Sequence, residues 1–171
     1  MPGLLLRNIL RFVMLILLQV LVFNHMNLGG YLNPSIYILI ILLLPNNINS
    51  SLLLLLGFII GLTVDIFTNT PGLHAAATVL LAFMRPGIIR LFFGNLEFGQ
   101  GEPPGLNKLG VSGFFRYTLV LVFIHQLALS FLEVFNFHHI LFTLSRAFFS
   151  SLLTIFLVMI IVLLTTTRKK H

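Results

Sequence analysis

Asp65, Glu133 and Arg146 lie within or at the edge of long apolar runs, and they set the chemistry open to this chain. A charge at the centre of a bilayer costs about 2.5–3.5 kcal/mol on insertion scales, so it takes a partner or a role. Arg146 has two candidate partners at similar depth, Asp65 and Glu133, and an ion pair with one of them is expected. The competing reading is that all three snorkel to water at the interface and serve packing alone. His138-His139 beside Glu133 would suit a metal ion or acid–base work. The spacing is not His-Glu-x-x-His, however, and no further ligand set follows. There are no cysteines, and no Gly-x-Ser-x-Gly, P-loop or dinucleotide fingerprint. No catalytic residue, metal or cofactor is therefore expected. His74, Thr78 and Arg85 share a face of one helical run, and His125 reads as an interhelical hydrogen bond.

The elements that carry these residues are set by composition. Of 171 residues 58% are hydrophobic and 8% charged, with a mean hydropathy of +1.07. So few charges cannot cover a soluble domain, which excludes a cytosolic enzyme, a secreted domain and a disordered tail. A spanning helix needs about 20 mostly apolar residues to cross roughly 30 Å of hydrocarbon. Runs at 4–23, 51–67, 73–93, 114–135 and 140–164 qualify or come close. The first is read as a mature span, because no small-residue cleavage site follows it. A shorter run, 34–44, is bounded by Asn33-Pro34 and Pro45-Asn46-Asn47. It either spans with help from residues 28–32 or dips in and is covered by neighbours. Ser50-Ser51 is expected to cap the third helix. Pro86-Gly87 is expected to kink or end the fourth, and residues 94–113 to form the long polar loop. The fold class is thus an all-α polytopic membrane bundle of about six helices.

Six crossings put both termini on one side. Arg7, Arg11, Arg168, Lys169 and Lys170 then share that side with Arg85, Arg90, Lys108 and Arg116, which is nine of the ten Lys and Arg residues. The opposite connections carry none. By the positive-inside rule both ends are cytoplasmic. The net charge of +6 is accounted for as orientation, not as nucleic-acid binding.

Helix packing has its own signal. Gly57, Gly61 and Asp65 follow at i, i+4 and i+8, so a GxxxG stripe continues into the acid. Gln126, Ser130 and Glu133 form a second polar stripe, and Thr143, Arg146, Ser150 and Thr154 a third. Such stripes turn towards one another in a bundle. Small residues at Gly57/Gly61 and Ala147/Ser151 are the expected helix-packing and partner interfaces, and the 94–113 loop the expected site for an internal partner.

Residues 57–77, Gly-Phe-Ile-Ile-Gly-Leu-Thr-Val-Asp-Ile-Phe-Thr-Asn-Thr-Pro-Gly-Leu-His-Ala-Ala-Ala, resemble the corresponding helix-turn-helix of the bacterial rod shape-determining MreD family. Asn33-Pro34 and the Leu-rich run to Pro45 are similar too. Gly57, Gly61, Asp65, Gly72 and Leu73 match the family pattern, and none is catalytic there. The resemblance implies an inner-membrane, six-helix fold similar to the S components of energy-coupling-factor transporters. It implies a non-enzymatic scaffold, beside the bitopic protein MreC, the actin-like MreB and the peptidoglycan synthases of the lateral wall. Two rivals are an S-component-like subunit that binds and transports a small molecule such as a vitamin, and an intramembrane enzyme using Glu133 with His138 or His139.

Overall fold

The computed structural model describes residues 13–23, 33–134 and 140–166. Every regular element among them is helical. A first helix, α1 (Val13–Val22), widens to a π-type turn over Gln19–Phe23. A 3-10 turn, Ile36–Ile38, runs into the short α2 (Leu39–Leu42). The long helices are α3 (Ser50–Thr68), α4 (Leu73–Phe93), α5 (Leu106–Val134) and α6 (Ile140–Thr165). These four are long and apolar enough to cross a membrane. The rest of the first expected span, the connection at 24–32, the turn carrying His138 and His139, and the basic C-terminus lie outside the described residues.

Each long helix packs against the next in antiparallel succession, α3 on α4, α4 on α5 and α5 on α6. Two ends of the bundle can be distinguished. The turn end holds residues 68–73, and the loop end holds residues 94–105 together with the 43–49 turn. Outward-facing Leu, Ile and Phe residues such as Ile66, Phe83, Leu91, Leu141 and Phe156 form a lipid-compatible exterior. At the α3–α4 seam the inward faces are built from small residues on both helices. A Cβ on Gly61 would fall 2.5 Å from the Cα of Ala75, and one on Gly57 3.1 Å from the Cβ of Ala82. Glycine is what allows these two backbones to approach so closely.

Several boundaries differ from those expected. Asn49, not Ser50 or Ser51, caps α3, its side chain accepting from the Ser51 N–H at 2.9 Å. Helix α4 keeps the expected bounds, Leu73–Phe93, and of the two outcomes expected at Pro86 an early end does not occur. Helix α5 begins at Leu106 and bends at Gly110, whose φ of 67° lies in the region that glycine enters freely. The polar loop is therefore shorter than the sequence suggests, residues 94–105.

That loop is tied down by its own charges. Glu102 Oε2 accepts from the Gly99 N–H at 2.7 Å and lies 3.1 Å from Lys108 Nζ, which sits 5.6 Å from the Phe98 ring centroid. The Gly99 N–H and, after it, Lys108 hold the Glu102 carboxyl below its ordinary value. A depressed carboxyl pKa gives an ordering effect that is complete above the ordinary carboxylate value. It fades as pH falls through the lowered one. The Gly99 amide resonance should therefore stay constant from neutral to mildly acidic pH and shift only in stronger acid. Glu102→Gln should remove that transition.

Candidate functional site

The interior of the bundle is occupied by a stretch of chain rather than by side chains alone. Residues 34–39 and residues 41 and 42 are buried, and Ile36, Tyr37, Ile38, Ile41 and Leu42 have no exposed surface. The helical part spans only seven residues, about 11 Å at 1.5 Å per residue. It is a half-helix, too short to cross alone, and neighbours on several sides cover it. Non-helical backbone at such depth must be satisfied by protein groups.

Those groups come from α1, α4, α5 and α6. On the π-type turn, Gln19 uses both ends of its amide. Its Nε2 donates to the Pro34 carbonyl and its Oε1 accepts from the Ile36 N–H, each at 2.9 Å. On α6, Ser150 Oγ accepts from the Asn33 N–H at 3.3 Å and Thr154 Oγ1 from the Ser35 N–H at 3.1 Å. On α5, Gln126 Nε2 donates to the Asn33 carbonyl and to Thr154 Oγ1, each at 3.0 Å. Ser150 and Thr154 stand about midway along α6, so the non-helical residues 33–35 lie halfway through the bundle.

The middle of the segment is held by Tyr37. Its hydroxyl lies 2.9 Å from His125 Nε2 and 3.2 Å from Thr78 Oγ1. The sequence expectation for His125 was an interhelical bond, and the structure gives it one to the interior segment. Among the described residues its Nδ1, like Thr118 Oγ1, has no hydrogen-bond partner.

At the loop end the segment terminates on Arg85. This side chain is 1% exposed, the largest of the fully buried ones. Its Nε donates to the Tyr117 hydroxyl at 3.0 Å, and its Nη2 donates to the Leu44 carbonyl. Tyr117 in turn donates to the Leu42 carbonyl at 3.0 Å. A cation and a hydroxyl thus meet the C-terminal carbonyls of α2, where a helix presents its partial negative charge. This corrects the charge count made on the sequence. Arg85 is not an orientation charge at the membrane face but a structural cation inside the bundle.

Of the two acids expected as partners for Arg146, Asp65 is not the one engaged. Its Oδ1 accepts from the His74 N–H and lies 3.0 Å from His74 Nδ1, and it also accepts from Thr70 Oγ1 at 2.9 Å. Its Oδ2 accepts from the Ala75 N–H at 2.9 Å. The carboxylate of α3 therefore caps the N-terminus of α4 from outside that helix, where orphan N–H groups favour an anion. Gly72, with a φ of 84°, turns the chain into place for this.

Arg146 Nη2 lies 2.5 Å from Glu133 Oε2, joining α6 to α5. Both side chains keep some exposure, 19% and 17%. Arg146→Glu should lower the yield of folded protein, and Glu133→Arg in the same chain should restore part of it. A double reversal no better than the single one would remove the pair from the account.

The small-residue faces serve helix packing, as expected, within the bundle itself. Gly57 and Gly61 are buried under α4, and Ala147 and Ser151 are buried on the inward face of α6, where Ser151 Oγ donates to the Ala147 carbonyl at 2.6 Å. These positions pack the bundle itself and leave no close-approach surface for a separate helix. Among the described residues no three His, Asp or Glu side chains come together as a metal site. The polar stripes of α5 and α6 do meet, at Gln126 and Thr154. Their shared target, the backbone of residues 33 and 35, was not foreseen, nor was the part played by Gln19. A lone glutamine inside an apolar run was the available signal. No family model, curated protein or solved structure matches the chain.

Proposed function

We propose that this chain is a non-enzymatic scaffold subunit of the bacterial cell-elongation machinery, of the kind the MreD family supplies. It crosses the inner membrane six times with both termini in the cytoplasm, in a fold similar to that of the S components. It couples MreC, MreB and the peptidoglycan synthases of the lateral wall. The observation that carries this reading is the α3–α4 hairpin. Gly57, Gly61, Asp65, Gly72 and Leu73, on which the resemblance rests, lie along one seam and its turn: two glycines for close approach, an acid as cap, a glycine for the turn. The motif works as a unit of packing. The remaining interior polar groups are largely bonded to backbone, which suits a rigid body that others assemble on. Because both glycines are covered, contact with the membrane helix of MreC falls to another face of the bundle. The loop at 94–105 is the natural place for MreB.

A second reading has one observation in its favour. The buried half-helix that follows the non-helical residues 33–35, ringed by Gln19, Gln126, Ser150 and Thr154, resembles the half-helices at which membrane carriers bind small molecules. Here those groups are engaged with the segment's own backbone, which favours the scaffold. Equilibrium binding of small vitamins to the purified protein separates the two.

The test of the preferred reading is depletion in the native host, with capture of the tagged chain in parallel. Rods are expected to round up, and MreC to copurify. Unchanged rods together with no MreC in the eluate would exclude the scaffold role.

A further inference from the structure

Residues 33–47 are bonded to a different part of the molecule at each stage of their path. Halfway through the bundle, Gln126 of α5 and Ser150 and Thr154 of α6 hold the backbone of residues 33 and 35. Towards the loop end, Arg85 of α4 and Tyr117 of α5 hold the carbonyls of Leu44 and Leu42. Where the segment leaves the bundle it meets the polar loop. The Asn46 N–H donates to the Glu102 carbonyl at 3.0 Å, and Asn47 Oδ1 accepts from the Gly101 N–H at 3.2 Å. Gln126 and Tyr117 lie nine residues apart on one helix, about 14 Å. One covalent segment is therefore gripped at two heights and then bonds to the loop at its exit.

An element so closely packed and bonded has few ways to absorb a displacement locally. We infer that residues 33–47 are a tie that sets the position of the 94–105 loop from the interior of the bundle, with Arg85 and Tyr117 as its latch. The loop is not an independent flap. Loosening the grip at Gln126 is transmitted along the segment to Asn46 and Gly101. The consequence is regulatory: whatever meets the loop reads the state of the polar shell, and whatever disturbs the shell alters the surface the loop presents. The tie does not depend on the scaffold reading, and it holds equally if the chain has another activity.

Hydrogen exchange of the full chain in lipid nanodiscs tests it, read at the Asn46 and Gly101 amides. Three variants are compared: Arg85→Lys, Tyr117→Phe and Gln126→Met. With Arg85→Lys the two amides are expected to exchange about tenfold faster, as the loop opens without global unfolding. Tyr117→Phe, which removes one oxygen and keeps the ring, provides the same readout if Arg85→Lys fails to fold. The deciding variant is Gln126→Met, which should also speed exchange at Asn46 and Gly101 several-fold from a distance of more than two helical turns. The amides of the 68–73 turn should stay unchanged, because Asn69 and Thr70 bond to the Asp65 carbonyl and Leu73 to the Thr70 carbonyl rather than to the segment. Acceleration confined to the two latch variants would overturn the tie, because the bonds at that end would then act locally. So would equal acceleration at 68–73, which marks general loosening, or no change at all.

Discussion

Gly61→Leu should separate α3 from α4 and strip the folded state of its tightest seam. A Cβ at this position would lie 2.5 Å from both the Ala75 Cα and the His74 carbonyl oxygen, and 2.7 Å from the Ala75 nitrogen. All three are backbone atoms, so no rotamer change relieves the overlap. Overpacking a close-packed interior costs about 1–3 kcal/mol when side chains can yield, and more when backbone must move. The seam cannot open at one point only. The same stretch of α4 supplies the His74 and Ala75 N–H groups that cap Asp65, so the clash also pulls donors away from a buried carboxylate. Gly57→Ala is the graded control. Its new Cβ would meet the Ala82 Cβ at 3.1 Å and the Thr78 carbonyl oxygen at 3.3 Å, contacts that a shift of a few tenths of an ångström absorbs. Resistance to denaturation in mild detergent should fall slightly for Gly57→Ala and collapse for Gly61→Leu. Equal, small effects would mean that the seam is looser than described.

Asp65→Ala should produce the other large loss. Four donors converge on this carboxylate: the His74 and Ala75 N–H groups, the Thr70 hydroxyl and His74 Nδ1. Alanine leaves them without an acceptor at a helix start that is largely shut off from solvent. Each orphaned buried donor costs about 1–3 kcal/mol. The two backbone groups carry most of the loss, because the Thr70 hydroxyl can turn elsewhere while they cannot. Asp65→Asn keeps the shape and one acceptor oxygen, so it should retain part of the stability. Thermal unfolding of the three chains in the same detergent should order them wild type, Asn, Ala. An Ala variant as stable as wild type would show that the α4 cap contributes nothing.

Both predictions concern residues whose importance was legible in the sequence, yet for a different reason. The i, i+4, i+8 spacing of Gly57, Gly61 and Asp65 announces a packing stripe, and that stripe is where α3 meets α4. Periodicity does not say which helix lies opposite. The nearest answer, the next helix in the chain, consumed a surface that had looked available to a partner. Asp65 and Glu133 are both candidates for Arg146 because all three carry charge at similar depth, and the pair forms with Glu133. Two of the four donors to Asp65 are neutral backbone groups, made attractive by their position in the first turn of α4, and charge counting is blind to them. The signal was nonetheless present in a short turn followed at once by a helix start with no capping side chain of its own.

Arg85 shows how a sound general rule misassigns a single residue. Positive-inside counting treats every basic residue near a connection alike. What distinguishes Arg85 is that it shares a helix face with His74 and Thr78, and that face proved to be the buried one. Arg90, off that face, is exposed. The interior half-helix was the least legible element. Its apolar run is too short to span, and nothing in its own composition says whether lipid or protein covers it. The answer lies in Gln19, Gln126, Ser150 and Thr154, polar residues on other helices whose common target is main chain. No side-chain pattern within residues 34–44 records that relationship.

The central claim is that this segment is enclosed by protein, and thiol accessibility measures it directly. The chain has no cysteine of its own, so single substitutions report without background. Ile38→Cys and Ile41→Cys, in native membranes, should react neither with a water-soluble maleimide nor with a lipid-soluble one. Ile66→Cys, on the lipid-facing side of α3, should react with the lipid-soluble reagent. Labelling of Ile38→Cys or Ile41→Cys by the lipid-soluble reagent at the rate seen for Ile66→Cys would place the half-helix against the bilayer and contradict the account.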